Sequence, residues 1–136
     1  MGFFKKMIEK FNEGFFYVVD INTLRDYINE DLEITLDQKL EAGAHLNIYY
    51  NGDKHEIQVW NYAASDFQDE KEKGLIVYYD KIEYKSVEEL FDNAIISNTK
   101  LKDIKEFFKI ELIDMDSNYF KEYQKKHPEL KVEDYN

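Results

Sequence analysis

The centre of the chain reads Ala44-His45-Leu46-Asn47-Ile48-Tyr49-Tyr50-Asn51-Gly52-Asp53-Lys54-His55-Glu56-Ile57-Gln58-Val59-Trp60-Asn61-Tyr62. Apolar and polar residues alternate on both sides of the Asn-Gly pair. This pattern is typical of a β-hairpin, because a type I′ turn needs residues that accept positive φ at both central positions. The sequence therefore predicts a hairpin over residues 44–62, and we place it near the centre of the sheet.

The alternation also predicts which side chains share a face of the hairpin. Any register that buries Leu46 and Ile48 places them with Ile57 and Val59. One face then carries Leu46, Ile48, Tyr50, His55, Ile57 and Val59, and the other carries His45, Asn47, Tyr49, Lys54, Glu56, Gln58, Trp60 and Tyr62. Because His45 and His55 lie on opposite faces, they cannot share a metal ion.

The second face places large aromatic rings among polar side chains. Two interpretations of Tyr49, Trp60 and Tyr62 are open. In the first, a helix or the N-terminal segment covers these side chains. In the second, they form an exposed patch that binds a partner, since Trp and Tyr often anchor protein interfaces.

The flanking patterns predict an α+β fold with an antiparallel sheet of about four to six strands and helices packed on it. We treat residues 1–136 as one domain, with residues 129–136 frayed. Before the hairpin we expect an amphipathic helix over Phe3–Phe11, a buried strand over 15–19, a helix to about Asn29, and a short strand and helical turn over 30–43 (or one helix ending at Gly43). After the hairpin we expect a solvated connection over 63–74, strands over 75–79 and 82–84, and a helix that begins at the capping box Ser86-Val87-Glu88-Glu89. The last expected elements are a helix from Leu101 to Phe108, a strand over 110–113 and a helix around Tyr119–Tyr123.

The charge balance bears on the class of partner. The chain has 29 acidic and 18 basic residues, a net charge of −11, and Arg25 is its one arginine. Negative charge is spread along the sequence without a basic block. Because arginine is the preferred residue for phosphate and base recognition, the composition argues against direct nucleic-acid binding. An acidic surface favours a basic partner, or it simply keeps the protein in solution.

Composition also bears on location. The chain has no cysteine and no apolar run of the roughly 20 residues that a membrane span needs. Its N-terminus lacks the order of a secretory signal. We expect a cytoplasmic protein without membrane contact, and the abundance of Lys, Asn, Ile and Tyr is typical of an AT-rich bacterial genome.

The search for chemistry finds no catalytic motif. There is no nucleophile elbow, and the glycines are too scattered to cradle a phosphate. The string Asp114-Met115-Asp116-Ser117-Asn118 copies the first three ligand positions of an EF-hand loop, but Tyr119 replaces the required Gly and Lys125 the bidentate Glu. We interpret Asp116 or Ser117 as the cap of the last helix, and we expect no metal, no cofactor and no catalytic residue.

These observations favour a non-catalytic, acidic protein-binding domain. The most concrete version is an immunity or inhibitor protein that masks a basic partner such as a bacterial toxin. The residues expected to bind the partner are Tyr49, Trp60, Tyr62, Asp66, Asp69, Glu70 and Glu72. The alternatives are an assembly protein that self-associates through its sheet, and a small carboxylate-based enzyme or ligand carrier. A pocket with a carboxylate beside His45 or His55 would favour the last.

Overall fold

A six-stranded antiparallel sheet carries the helices in the computed structural model, which describes residues 14–135. The elements are β1 (Phe15–Val19), α1 (Ile21–Asp37), β2 (Ala42–Tyr50), β3 (Asp53–Asn61), α2 (Gln68–Lys71), β4 (Leu75–Tyr79), β5 (Ile82–Tyr84), α3 (Val87–Asn93), β6 (Ile95–Ile96), β7 (Thr99–Lys100), β8 (Phe108–Leu112) and α4 (Asn118–Lys126). The sheet order is β1-β8-β2-β3-β4-β5, and β6 pairs separately with β7. The predicted α+β fold is confirmed.

The central hairpin forms as the alternation predicts. Asn51 and Gly52 both have positive φ, 49° and 83°, as a type I′ turn requires. Leu46 pairs with Ile57, and Ile48 pairs with His55. Because β2 and β3 are the third and fourth of six strands, the hairpin lies at the centre of the sheet.

The predicted apolar face of the hairpin forms the floor of the hydrophobic core. Its four aliphatic side chains are fully buried, and the buried apolar residues of α1, α3 and α4 belong to the same cluster. Its largest members are Phe91, Phe108, Phe120, Leu24, Ile28, Leu46, Ile48, Ile57, Leu90, Ile96, Leu101 and Ile110. Since burying such a side chain contributes roughly 1.5–3 kcal/mol, this cluster is the main source of stability.

The strand predicted within residues 30–43 is wrong, because α1 continues to Asp37. Leu32 packs against the core, and Thr35 is buried with its Oγ1 donating to the carbonyl oxygen of Asp31 at 2.8 Å. The alternation of apolar residues predicted a strand incorrectly, because Ile34 and Leu36 are exposed on the helix and do not form a buried face. Nor does Gly43 end the helix: Lys39 takes the left-handed conformation, with a φ of 53°.

The helix predicted from Leu101 to Phe108 is also wrong. A turn at Ser97 and Asn98, both at positive φ, makes a small hairpin, and a 3₁₀ turn over Leu101–Asp103 follows. Residues 108–112 then form β8, which inserts between β1 and β2. The helical spacing of Leu101, Ile104 and Phe108 reflects three buried positions in irregular chain rather than a helix face.

Two predictions concern the ends of the chain. The helix predicted over Phe3–Phe11 lies outside the described residues. The fraying expected from residue 129 stays a prediction; within that segment Leu130 is buried and its carbonyl oxygen accepts a hydrogen bond from Gln124 Nε2. Within residues 14–135, none of the helices has the length and apolar character that a membrane span requires.

The capping box offers a direct test of the fold. Ser86 Oγ accepts a hydrogen bond from the Glu89 amide at 3.0 Å, and Glu89 Oε2 accepts one from the Lys85 amide at 2.9 Å. Ser86→Ala should lower the free energy of unfolding by about 1 kcal/mol in urea denaturation. Ser117→Ala is the matched control, because Ser117 holds the N-cap position of α4 without a side-chain cap bond. An equal loss in both variants would contradict the assignment.

Candidate functional site

Three segments of the chain meet at the end of the sheet opposite the Asn51–Gly52 turn. They are residues 30–44, residues 61–74 and residues 113–118. The Asn61 amide donates to the Glu41 carbonyl at 2.7 Å, and the Ile113 amide donates to the His45 carbonyl at 3.0 Å. We refer to these three segments together as the acidic end.

The acidic end carries most of the protein's net charge. Its three segments contain eleven carboxylates and three lysines, within a chain of net charge −11. The carboxylates are Glu30, Asp31, Glu33, Asp37, Glu41, Asp66, Asp69, Glu70, Glu72, Asp114 and Asp116. The negative charge that is spread along the sequence is therefore gathered by the fold.

The connection between β3 and β4 holds the backbone of an exposed phenylalanine in place by hydrogen bonds. Ser65 is buried; its Oγ donates to Glu70 Oε2 at 2.6 Å and accepts from the Phe67 amide at 3.2 Å. The Phe67 carbonyl begins α2 by accepting from the Glu70 and Lys71 amides, yet its side chain is 70% exposed. Phe67 is not among the residues predicted to bind a partner. The available signal was that Phe67 is the single apolar residue between Ser65 and Gly74.

Two of the predicted aromatic residues lie together at the acidic end. The rings of Trp60 and Tyr62 stack with centroids 6.0 Å apart and an interplanar angle of 18°, and both side chains are half-buried. The Tyr62 and Tyr78 hydroxyls are 2.9 Å apart, and this hydrogen bond is the main cause that raises the pKa of Tyr78 to about 12. The stack is thus fixed by its neighbours.

Tyr49 lies apart from that pair. It faces Lys54 beside the hairpin turn, six positions from Trp60 along β3, or about 20 Å. Its hydroxyl donates to Glu111 Oε1 at 2.9 Å, and burial together with this bond raises the pKa of Tyr49 to about 12. The structure therefore does not join Tyr49 to the Trp60–Tyr62 pair.

The four acidic residues predicted to bind a partner all belong to the connection after β3. Asp66, Asp69 and Glu72 are exposed. Glu70 instead accepts the hydrogen bond from Ser65 and supports the connection. Three of the four are thus open to a partner.

A groove of about 490 Å³ opens at the acidic end, between α1, the start of β2 and residues 113–119. Its apolar lining includes Ile34, Leu40 and Met115, all exposed, and Met115 is 77% exposed. Tyr27 and Tyr119 add aromatic walls. The sequence does not predict the groove, because its walls come from segments some 70 residues apart.

Asp31 lines this groove in a partly buried position. Burial raises the pKa of its carboxyl above the usual value, and hydrogen bonds from the Ala44 amide and from Thr35 oppose that rise. Gly43 makes the close approach possible, since a Cβ there would lie 3.0 Å from Thr35 Oγ1 and 3.2 Å from Asp31 Oδ2. A carboxyl with a raised pKa in a groove is a feature of functional sites.

The two hairpin histidines lie on opposite faces, as the register requires. His45 lines the groove, with Nδ1 3.2 Å from Asp114 Oδ2 and Nε2 2.9 Å from Glu56 Oε2. His55 Nδ1 contacts Asp80 Oδ2 at 2.6 Å. No group of three or more His, Asp and Glu side chains among residues 14–135 is arranged to hold a metal ion.

Asp116, from the string that resembles part of an EF-hand loop, is tied into the structure. Its Oδ1 accepts from the Tyr17 hydroxyl at 2.6 Å and from the Ser117 amide at 2.8 Å, and Lys121 Nζ lies 3.1 Å from Oδ2. Ser117 holds the N-cap position of α4, although neither side chain makes the expected cap bond. Asp116 therefore anchors α4 to β1.

Comparison of the chain with protein-family models, with curated proteins and with solved structures gives no significant match.

The raised pKa of Asp31 predicts a pH-dependent effect of Asp31→Asn. The folded protein holds this proton more readily than the unfolded chain, so stability from the carboxyl is present below the unfolded pKa and falls as pH rises through the folded pKa. The variant removes that loss. Its free energy of unfolding relative to the unmodified protein should increase upward from about pH 4, measured by urea denaturation at several pH values.

The matched control is Glu33→Gln, the same chemical change at an exposed position of α1. A gain of equal size and pH dependence in the control, or no pH dependence for Asp31→Asn, would contradict the role of Asp31 burial.

Proposed function

We propose that the protein is an acidic, non-catalytic binding domain that masks a basic protein partner, as an immunity or inhibitor protein masks a toxin. The observation that carries the proposal is the acidic end, where eleven carboxylates lie in three converging segments, one of which also carries the exposed Phe67. The proposal places the pair in a bacterial cytoplasm, which suits a chain without cysteine.

The features of the acidic end fit two separate requirements of binding. Clustered carboxylates steer a basic partner and raise the association rate. Aromatic side chains in fixed positions supply contact area with little loss of conformational freedom, and such residues dominate the slow dissociation of tight complexes. The Trp60–Tyr62 stack meets the second requirement, and Phe67 adds an exposed aromatic ring on a backbone held by hydrogen bonds. Asp66, Asp69 and Glu72 meet the first.

A pull-down from the native cell extract tests the charge requirement. The acidic-loop variant Asp66→Asn/Asp69→Asn/Glu72→Gln should lose a basic protein that the unmodified protein retains at low salt and releases at high salt, because steering and rim contacts weaken as salt screens them. Retained proteins are identified by mass spectrometry.

The control variant is Glu88→Gln/Asp92→Asn/Glu133→Gln, which makes the same change in net charge at exposed positions outside the three segments of the acidic end. It should retain the partner. Equal loss in both variants would reduce the interaction to non-specific charge, and retention in both would contradict the proposed surface.

The isolated partner then tests the aromatic requirement. Phe67→Ala should raise the dissociation rate by about tenfold or more, since removing an anchor of 1.4 kcal/mol or more changes affinity tenfold, while the association rate stays nearly constant. Surface plasmon resonance measures both rates. Phe107→Ala removes another exposed phenylalanine and should leave both rates unchanged. Unchanged dissociation for Phe67→Ala would remove this residue from the interface.

The groove gives a specific reason to keep a second candidate, a carboxylate-based enzyme or ligand carrier. It places His45 beside Asp114 and contains the carboxyl of Asp31, whose pKa is raised by burial. A general base, however, needs a ring nitrogen that reaches the substrate. Both nitrogens of His45 already contact carboxylates, so the geometry supports binding better than proton transfer.

A further inference from the structure

The groove presents negative charge that the side chains of residues 14–135 balance only in part. Its charged lining residues, His45 aside, are four carboxylates. Asp114 contacts His45, and Asp116 contacts Lys121. No lysine or arginine within residues 14–135 forms an ion pair with the remaining two, Glu30 and Asp31.

The other walls of the groove are aromatic and apolar. The Tyr27 and Tyr119 rings have centroids 5.8 Å apart and are tilted by 48°, and both line the opening. Ile34, Leu40 and Met115 add exposed apolar surface. A volume of about 490 Å³ is within the range of sites that enclose a side chain or a small ligand.

This combination of walls suits a guanidinium group better than an ammonium group. Guanidinium is planar, weakly hydrated, stacks on aromatic rings and can meet a carboxylate with two hydrogen bonds. An ammonium ion on a lysine is more strongly hydrated and acts as a point charge. The apolar rim would contact a neighbouring apolar side chain of the same segment.

We propose that the groove receives an arginine, flanked by an apolar residue, from a segment of the basic protein partner. The inference rests on the proposed function and deepens it by naming the partner's chemistry. Asn61 Nδ2 donates to the Leu40 carbonyl at 3.1 Å, which joins the groove rim to the connection that carries Phe67. One partner therefore reaches both features from the same end of the sheet.

A titration with a defined peptide tests the groove directly. The probe is the tripeptide Ala-Arg-Leu, acetylated and amidated at its ends, and the comparison is Ala-citrulline-Leu, which keeps the shape and loses the charge. In ¹H–¹⁵N correlation spectra, Ala-Arg-Leu should shift the amides of Asp31, Gly43, Ala44 and Tyr119 at millimolar concentration. The citrulline peptide should bind at least fivefold more weakly. Shifts scattered over the surface, or equal affinity for both peptides, would overturn the proposal.

Charge reversal at the groove wall supplies matched variants. Glu30→Lys should weaken Ala-Arg-Leu binding by about five- to tenfold, because it places a cation beside the guanidinium site. Glu33→Lys makes the same change on the same helix at an exposed residue outside the lining, and should change binding less than twofold. Equal weakening by both variants would show general electrostatics and overturn the groove assignment.

The captured partner separates failure of this inference from failure of the proposed function. If Glu30→Lys leaves the partner's affinity unchanged while the acidic-loop variant lowers it, the groove is not a contact and the binding function stands. If neither variant changes affinity, the acidic end is not the binding surface, and the proposed function of this surface and the groove inference both fall. Loss of affinity in both, with Glu33→Lys unchanged, supports the groove as part of the interface.

Discussion

The register of the central hairpin is the constraint on which the rest of the structure depends. A two-residue turn with positive φ at Asn51 and Gly52 leaves one pairing of β2 with β3. A slip of one residue would move every buried side chain to the other face. The buried face then supports the helices on one side of the sheet, because the core residues of α1, α3 and α4 share one cluster with Leu46 and Ile57.

The same register determines what meets at the far end of the hairpin. The pairing of Ala42 with Trp60 places the connection after β3 beside the chain that leaves α1. Because β8 pairs with β2, the segment that begins at Ile113 reaches the same place. The acidic end is thus a consequence of strand pairing among segments far apart in the sequence, and no local pattern of charge describes it.

The local features of this protein could be predicted, and the long-range ones could not. The Asn-Gly turn and the Ser86 capping box depend on neighbouring residues, and both form. The strand predicted within 30–43 is wrong because Ile34 lines a surface groove and is exposed. The alternation of apolar residues there therefore does not mark the buried face of a strand. Trp60 and Tyr62 could be selected as a pair on one face, whereas the groove required contacts between α1 and residues 113–119.

The concentration of charge at one end also has an energetic meaning. Like charges held together repel, and this self-repulsion opposes the folded state. The stability contributed by the core and the hairpin offsets this repulsion, and the carboxylates do not stabilise one another. A basic partner would replace the repulsion with attraction and would stabilise the folded protein in proportion to its affinity. An arrangement that is unfavourable alone and favourable in a complex is consistent with a protein that acts by binding. Glu30 and Asp31, which form no ion pair with a lysine or arginine of residues 14–135, are the groove carboxylates that a basic partner would complement.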